Sequence, residues 1–362
     1  MGESNGHNPW VAQMEGMMEE GFAHIRRMAK LPTLWQNAMR VRKGASPSEV
    51  VYREDQVRLL HYTTDVEQQQ DTPLIFVFAL VNRPYILDLM PRKSVVSHFI
   101  KAGFDTYLVD WGVPTDADRY RTLEDYIDGY LLNIVDHVCE RTGCEQVNIL
   151  GYCMGGTMST MFTSLYPDRV KNLILLAAGI DFETRDGLLN LWADPQYFDV
   201  DRFVDTFGNC PASFLQSSFL MLKPVQNFLA KPITLYERMD DEKFVDDYLA
   251  METWLNDNIP VPGEVYRRFV KDLYQQNLLV KDKLKIGKRV VRLKDIVCPV
   301  LNLMATADDL VPCGQSLPFT DLVGSQDRKT IQFPAGHIGL AVGSKAQRDL
   351  WPKVTEWLAE RD

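Results

Sequence analysis

A glycine-flanked cysteine is the residue best placed to act as a nucleophile. Cys153 lies at the centre of GYCMG, which is the G-x-S-x-G frame of a nucleophile elbow with a thiol in place of the hydroxyl. The apolar run VNIL precedes it and GGTMSTMFTSLY follows it, giving the strand, turn and helix that this motif requires. A helix start favours the thiolate through its free N–H groups and its dipole. The pattern therefore predicts a nucleophilic thiolate, against the alternative of a small cysteine buried in a glycine turn.

His337 is the histidine whose position suits a general base. It lies in FPAGHIG, directly after the last predicted strand. In a parallel α/β sheet that loop opens at the same edge as the elbow, where ligands bind. The other five histidines fit surface or packing positions: His7, His24, His61, His98 and His137. We therefore expect His337 to accept the proton of Cys153.

An acidic side chain should orient the imidazole and support its positive charge. The chain order nucleophile, acid, histidine places this acid at a strand end before His337. The stretch PVLNLMATADDLVP supplies Asp308 and Asp309 at such a position. One of the pair should orient His337, whereas the other can simply begin the turn.

The oxyanion hole should be built from two backbone N–H groups. The elbow motif assigns one of them to the residue after the nucleophile, which is Met154. The second donor should come from the loop after LIFVFAL, near Val81 and Asn82.

Short apolar runs alternate with helix-like stretches over most of the chain. The strand-like runs are VRLLHYTT, PLIFVFALV, FDTYLVDW, QVNILGYC, NLILLAAG, PVLNLMAT and TIQFPAG. The helix-like stretches cover 93–102, 122–141, 156–166 and 347–360. This alternation predicts an α/β fold with a mostly parallel sheet and helices on both faces.

The segment 181–296 interrupts this alternation, because it is aromatic, dotted with proline and mixed in charge. It is too long for a simple loop. We interpret it as a helical cap inserted into one core formed by 46–180 and 297–362, with 1–45 as an N-terminal helical segment. Most of the cap's aromatic residues should form its own core and a few should line a tunnel. The set is Trp192, Tyr197, Phe198, Phe203, Phe207, Phe214, Phe219, Trp254, Tyr266 and Tyr274.

Residues 10–40 carry methionine, phenylalanine, isoleucine and tryptophan at roughly helical spacing. Pro32 should divide them into two helices. Two interpretations are open: a helical extension that packs on the domain, and a methionine-rich face that contacts a partner protein or an apolar particle.

Composition excludes several function classes. The net charge of −10 and the pI near 5.2 argue against a nucleic-acid partner, which requires a basic face. Six cysteines without a C-x-x-C pair argue against a zinc or dithiol site and are typical of reduced cytosolic thiols, so no metal is expected. No stretch reaches the roughly 18 apolar residues of a membrane span, and the first residues lack a secretory pattern. We therefore expect no transmembrane segment.

Five motifs in order resemble the polyhydroxyalkanoate synthases, α/β hydrolases that polymerise 3-hydroxyacyl-CoA: ALVNRPYILDL, YLVDWG, GYCMGG, DDLVP and FPAGHIGL. The resemblance runs from about Ser46 to the C-terminus and is greatest for the short class III catalytic subunits, with class IV as a near alternative. It places the nucleophile on Cys153, the base on His337 and the acid on Asp308. One departure is Asp309, where relatives often carry histidine, and its charge should raise the pKa of the base.

The resemblance implies an α/β-hydrolase fold and an acyltransferase that works through a covalent cysteine thioester. It implies no cofactor, since the substrate is itself a CoA thioester, with 3-hydroxybutyryl and similar short units expected. The implied partners are the growing polymer, a second synthase subunit and a second copy of the chain. The implied location is the cytoplasm, at the surface of polymer granules.

Two other functions fit parts of the pattern. A cysteine-type α/β hydrolase that releases a free hydroxy acid would share the elbow, although it has no need for the long insert and ALVNRPYILDL. A non-catalytic coat protein of polymer granules would keep the fold, although the intact set of Cys153, His337 and Asp308 argues against it.

Overall fold

The computed structural model describes residues 9–38, 41–184 and 186–362 of the chain, which by packing form two compact units. The larger unit comprises the described residues of 43–222 together with 254–362. The smaller unit comprises the described part of the first 42 residues together with 223–253. The domain ranges expected from the sequence follow changes in composition, and they stay predictions.

The larger unit is built on one eight-stranded sheet. Its strands are β1 (Ser48–Glu54), β2 (Val57–Tyr62), β3 (Leu74–Val77), β4 (Thr106–Asp110), β5 (Val147–Tyr152), β6 (Val170–Leu176), β7 (Val300–Ala305) and β8 (Arg328–Phe333). Their order across the sheet is β1-β2-β4-β3-β5-β6-β7-β8. β1 and β2 pair antiparallel with their neighbours, and β3 to β8 run parallel. The mostly parallel sheet predicted from the sequence is therefore confirmed.

The central strands are apolar on both faces, as expected where helices cover both sides of a sheet. All residues of β3, β5 and β7 are buried. β1 was not predicted, because it lies at the sheet edge, is largely exposed and has no apolar run. The carboxyl ends of the parallel strands share one edge, and the predicted catalytic residues Cys153, Asp308 and His337 follow three of these ends.

Helices and turns connect the strands. The α-helices of the core are Val96–Lys101, Leu132–Thr142, Met154–Leu165, Cys313–Ser316, Phe319–Leu322, His337–Val342, Ser344–Asp349 and Trp351–Ala359. A π-helical segment covers Asp125–Leu131, and 3₁₀ turns cover Pro84–Leu87, Asp116–Tyr120, Pro167–Arg169 and Leu293–Asp295. Two small hairpins pair Asp88–Met90 with Lys93–Ser94 and Lys285–Ile286 with Arg289–Val290. The helix predicted over 93–102 begins only at Val96. The helix predicted over 347–360 is divided, and its second part begins at Trp351, directly before Pro352, because proline favours the first turn of a helix.

The long insert is helical through much of its length. In the larger unit its helices are Leu188–Trp192, Val200–Phe207, Ala212–Met221 and Gly263–Arg268, followed by the π-helical segment Phe269–Gln275. Gln226–Ala230 and Lys231–Glu237 lie in the smaller unit, where Glu242–Leu255 also has most of its length.

The N-terminal segment differs from its prediction. One helix, Pro9–Ala38, continues through Pro32 instead of dividing there. Proline removes one backbone hydrogen bond, and a helix can bend at such a position instead of ending there. Contacts within the smaller unit support the helix: Lys30 pairs with Asp240 at 2.7 Å, and Arg27 lies over the ring of Tyr236 at 5.1 Å. Among the described residues, no helix is long and apolar enough to cross a bilayer.

Glycines allow the turn after β5 to pack against neighbouring backbone. A Cβ on Gly155 would meet the carbonyl of Val77 and lie 2.6 Å from the carbonyl of Phe78. A Cβ on Gly156 would lie 2.5 Å from the Cβ of Ala178. Since real Cβ atoms do not approach so closely, the elbow can form at this depth only with glycine at both positions.

Gly155→Ala should therefore destabilise the protein by about 2 kcal/mol or more, because backbone atoms of β3 would have to move. Gly129→Ala is the matched control, since nothing lies within 4 Å of its added Cβ, and its effect should stay within about 1 kcal/mol. Urea unfolding followed by circular dichroism measures both. Equal stability of the two variants would contradict this account of the elbow.

Candidate active site

Cys153 lies in the strained turn that its motif predicts. Its backbone has φ 55° and ψ −127°, a conformation that residues other than glycine rarely adopt. Its N–H donates to the carbonyl of Leu176 at 2.9 Å, and its carbonyl accepts from the N–H of Gly156 at 2.9 Å. These hydrogen bonds keep the strained backbone conformation of Cys153 in place, and the thiol lies at the end of β5.

The structure brings His337 and Asp308 together. Nδ1 of His337 lies 2.7 Å from Oδ2 of Asp308, whose side chain is completely buried. The other carboxylate oxygen accepts the N–H groups of Leu310 at 2.9 Å and Val311 at 2.8 Å. These bonds favour the ionised carboxylate and fix its direction. Of the two candidate aspartates, Asp308 therefore orients the imidazole, while Asp309 is exposed.

The surroundings of His337 favour its protonated form. Burial by itself lowers its pKa, but the charges of Asp308 and Cys153, with hydrogen bonds to both side chains, raise the pKa to about 10. The imidazole therefore carries a proton at neutral pH. The leading charges are those of Asp308 and Cys153, so the role expected for Asp309 has no support here.

Tyr152, the last residue of β5, contacts both the ring and the backbone of His337. Its ring stacks on His337 with centroids 5.2 Å apart and an interplanar angle of 23°. Its hydroxyl donates to the backbone carbonyl of His337 at 3.1 Å. Sequence reasoning missed this role, because a tyrosine at the end of a buried strand is indistinguishable from an ordinary core residue.

The two residues predicted to supply the oxyanion hole lie beside the nucleophile. Val81 and Met154 line one cavity together with Cys153. Met154 is the first residue of its helix, where backbone N–H groups have no partner within the helix. The side-chain oxygen of Asn82 accepts the N–H of Arg83 at 2.6 Å, which fixes the turn after Val81. The assignment of N–H donors to Met154 and Val81 stays a prediction.

The cavity at Cys153 has a volume of about 170 Å³ and an almost wholly apolar lining. Six of the ten aromatic residues singled out in the insert line it, which is more than the few expected: Trp192, Phe198, Phe214, Phe219, Tyr266 and Tyr274. Phe269 lines it as well and was not foreseen. Of the remaining four, Phe203 packs among other aromatic rings and Tyr197 is exposed.

The described histidines other than His337 have structural partners. His61 lies 2.7 Å from Asp105, and His98 lies 3.0 Å from Gln347. His24 contacts a tyrosine of its own unit, and His137 packs on the ring of Tyr52. His7 lies outside the described residues.

All six cysteines are free thiols. Burial raises the pKa of Cys210 and of Cys298 to about 12, so both stay protonated at neutral pH. Cys153 differs from them in its position at the cavity and its interaction with His337.

Comparison with known families supports both the fold and the motifs. A family model described as "alpha/beta hydrolase fold" matches residues 73–344. A second, described as "Poly-beta-hydroxybutyrate polymerase (PhaC) N-terminus", matches residues 12–99. The similarity therefore begins well before Ser46, where the sequence motifs had placed its start.

Several characterised relatives are similar over most of the chain, and each is named "Poly(3-hydroxyalkanoate) polymerase subunit PhaC". The protein of Haloferax mediterranei is 46% identical, with 88% of this chain and 65% of that protein covered. The protein of Synechocystis is 44% identical, with 89% and 86% covered. The protein of Allochromatium vinosum is 42% identical, with 95% and 97% covered.

Solved structures share the fold at low sequence identity. A putative non-heme bromoperoxidase from Mycobacterium tuberculosis superposes with a TM-score of 0.54 at 13% identity, covering 87% of this chain and 99% of its own. A putative lipase from Sulfolobus solfataricus gives 0.53 at 14% identity, with the same coverage. These similarities show the α/β-hydrolase fold alone.

Asp308→Asn should lower the pKa of His337 from its value of about 10, because burial would then be opposed by Cys153 alone. Less of the imidazole would be protonated near neutral pH, and alkylation of Cys153 should become slower. Nuclear magnetic resonance titration of labelled histidine measures the pKa. Asp309→Asn is the control and should leave the pKa of His337 unchanged. A similar shift in both variants would contradict the assignment.

Proposed function

Since the chain belongs to the poly(3-hydroxyalkanoate) polymerase family, we propose that it polymerises 3-hydroxyacyl-CoA with release of CoA. The observation that carries this proposal is the elbow thiol of Cys153, which interacts with His337 and faces an apolar cavity. His337 is in turn bound to the buried carboxylate of Asp308. This arrangement suits acyl transfer between thioesters and alcohols.

The first step is the transfer of an acyl group from CoA to Cys153. The thiolate attacks the carbonyl carbon of the substrate, a new carbon–sulfur bond forms and the bond to the CoA sulfur breaks. The leaving CoA thiolate takes the proton held by His337. We propose that the N–H groups of Met154 and Val81 stabilise the oxyanion that develops on the carbonyl oxygen.

The second step forms the ester bond of the polymer. His337, now neutral, accepts the proton of the 3-hydroxyl group of another unit, and the oxygen attacks the carbonyl held on Cys153. The carbon–oxygen bond forms and the carbon–sulfur bond breaks, which returns the thiolate and the imidazolium. General-base assistance of this kind contributes on the order of 10² to 10⁴ in rate.

A thiol suits this chemistry better than a hydroxyl group. Exchange of one thioester for another changes little in free energy, and the acyl group on sulfur stays reactive towards an alcohol. Water would release the chain as a free acid, so the apolar lining is part of the proposed mechanism.

The cavity favours short hydroxyacyl units. Its volume of about 170 Å³ is close to that of an engineered protein cavity of about 150 Å³ that binds benzene. A four- or five-carbon acyl group is of comparable size. We therefore propose 3-hydroxybutyryl-CoA and similar short-chain thioesters as substrates, with no further cofactor.

We also propose a second synthase subunit as partner, as in the class III type, with self-association into dimers at the surface of cytoplasmic polymer granules. The relatives are named as subunits, which supports the first of these points. In the N-terminal helix, Met18, Phe22 and Ile25 follow helical spacing and are 58%, 57% and 65% exposed. We propose this apolar face as the contact for the second subunit.

Cys153→Ala should abolish CoA release from 3-hydroxybutyryl-CoA, because no acyl acceptor remains. Cys153→Ser should leave at most a trace, since the hydroxyl is a far weaker nucleophile near neutral pH. A thiol-reagent assay of free CoA measures both. Cys313→Ala, which removes a thiol outside the proposed chemistry, is the control and should release CoA at close to the wild-type rate.

The product distinguishes polymerisation from hydrolysis. Insoluble polymer with equimolar CoA supports the proposal, whereas soluble 3-hydroxybutyrate identifies a cysteine-type hydrolase. Normal turnover by Cys153→Ala would remove the nucleophile from its role.

Replacing Met18, Phe22 and Ile25 together by Asp should weaken capture of the second subunit at least tenfold, because a charged face cannot bury apolar area. Capture by a tagged subunit encoded in the same gene neighbourhood measures the effect. Gln36→Asp, which changes an exposed polar residue of the same helix, is the control. Unchanged capture by the triple variant would show that this face is not the contact.

A further inference from the structure

The polar side chains around Cys153 differ in whether their hydrogen bonds are already used. Besides the cysteine, the lining residues whose side chains carry an oxygen or nitrogen atom are Ser218, Tyr266, Tyr274 and Trp192. The Ser218 hydroxyl donates to the carbonyl of Phe214 at 2.9 Å. The Tyr266 hydroxyl is hydrogen-bonded to the buried thiol of Cys210. Neither is free to bind a ligand without losing an existing partner.

Tyr274 is different. Within the described residues its hydroxyl has no hydrogen-bond partner, while its ring is held against Phe182 with centroids 4.7 Å apart and against Phe269 at 6.2 Å. It belongs to the π-helical segment Phe269–Gln275, a type of segment that often occurs at functional sites. The ring is therefore held in place, and a ligand would displace no existing partner of the hydroxyl.

Tyr274 lines the same cavity as Cys153. Burial, followed by the charges of Cys153 and Asp308, raises its pKa, so it stays a protonated phenol at neutral pH. A phenol can donate one hydrogen bond and accept another. Trp192 can only donate and is 37% exposed.

We propose that Tyr274 recognises the 3-hydroxyl group of the acyl chain on Cys153 and so selects hydroxylated thioesters over plain ones. This inference rests on the proposed function. A 3-hydroxyl lies two carbons from the carbonyl that Cys153 attacks, and an apolar cavity would otherwise leave it without a partner. Tyr274 is thus a specificity-determining residue that acts beside the nucleophile and takes no proton in the reaction.

The test is single-turnover acylation of Cys153 in the full-length chain, with 3-hydroxybutyryl-CoA and with butyryl-CoA, followed by mass spectrometry of the acyl-enzyme. The wild type should react faster with the hydroxylated thioester. Tyr274→Phe should slow acylation by 3-hydroxybutyryl-CoA about fivefold to tenfold, the scale of one net hydrogen bond, and change the butyryl rate less than about twofold. Tyr266→Phe is the matched control and should leave the ratio of the two rates unchanged.

Each other result has a separate meaning. Equal slowing with both thioesters in Tyr274→Phe, or an unchanged ratio, would overturn the role of Tyr274 while the proposed function stands. Equal rates in the wild type would do the same. Failure of both thioesters to acylate wild-type Cys153 would overturn the proposed function and this inference with it.

Discussion

The buried charge of Asp308 is the interaction on which the site depends. An ionised carboxylate without water is costly unless hydrogen bonds surround it, and here two backbone N–H groups and the His337 ring supply them. The same bonds aim the carboxylate at the imidazole. This charge therefore helps to keep the His337 ring protonated at neutral pH.

The second constraint is steric. The elbow packs so closely on β3 that its glycines cannot carry a Cβ. Cys153 is held in a backbone conformation that residues other than glycine rarely adopt. Backbone hydrogen bonds to β6 and to the following helix maintain that strain. The nucleophile is therefore placed by the sheet itself, while the insert supplies the aromatic lining of the cavity before it.

The fold alone does not decide the chemistry. Solved α/β-hydrolase structures superpose on this chain at 13–14% identity, and they include a putative lipase. The chemistry proposed for this chain rests instead on the thiol at the elbow and an apolar cavity of about 170 Å³.

The sequence by itself determined what depends on local pattern: the parallel sheet, the elbow at Cys153, the base His337 and a pair of candidate acids. Each follows a strand end, and such positions are readable from apolar runs and turn residues. Only the tertiary structure showed the buried carboxylate of Asp308 bonded to His337, continued the first helix through Pro32, and placed Tyr152 and Tyr274 at the site. The physical reason is that periodicity reports whether a segment is buried, whereas contacts between distant segments depend on how the whole chain packs.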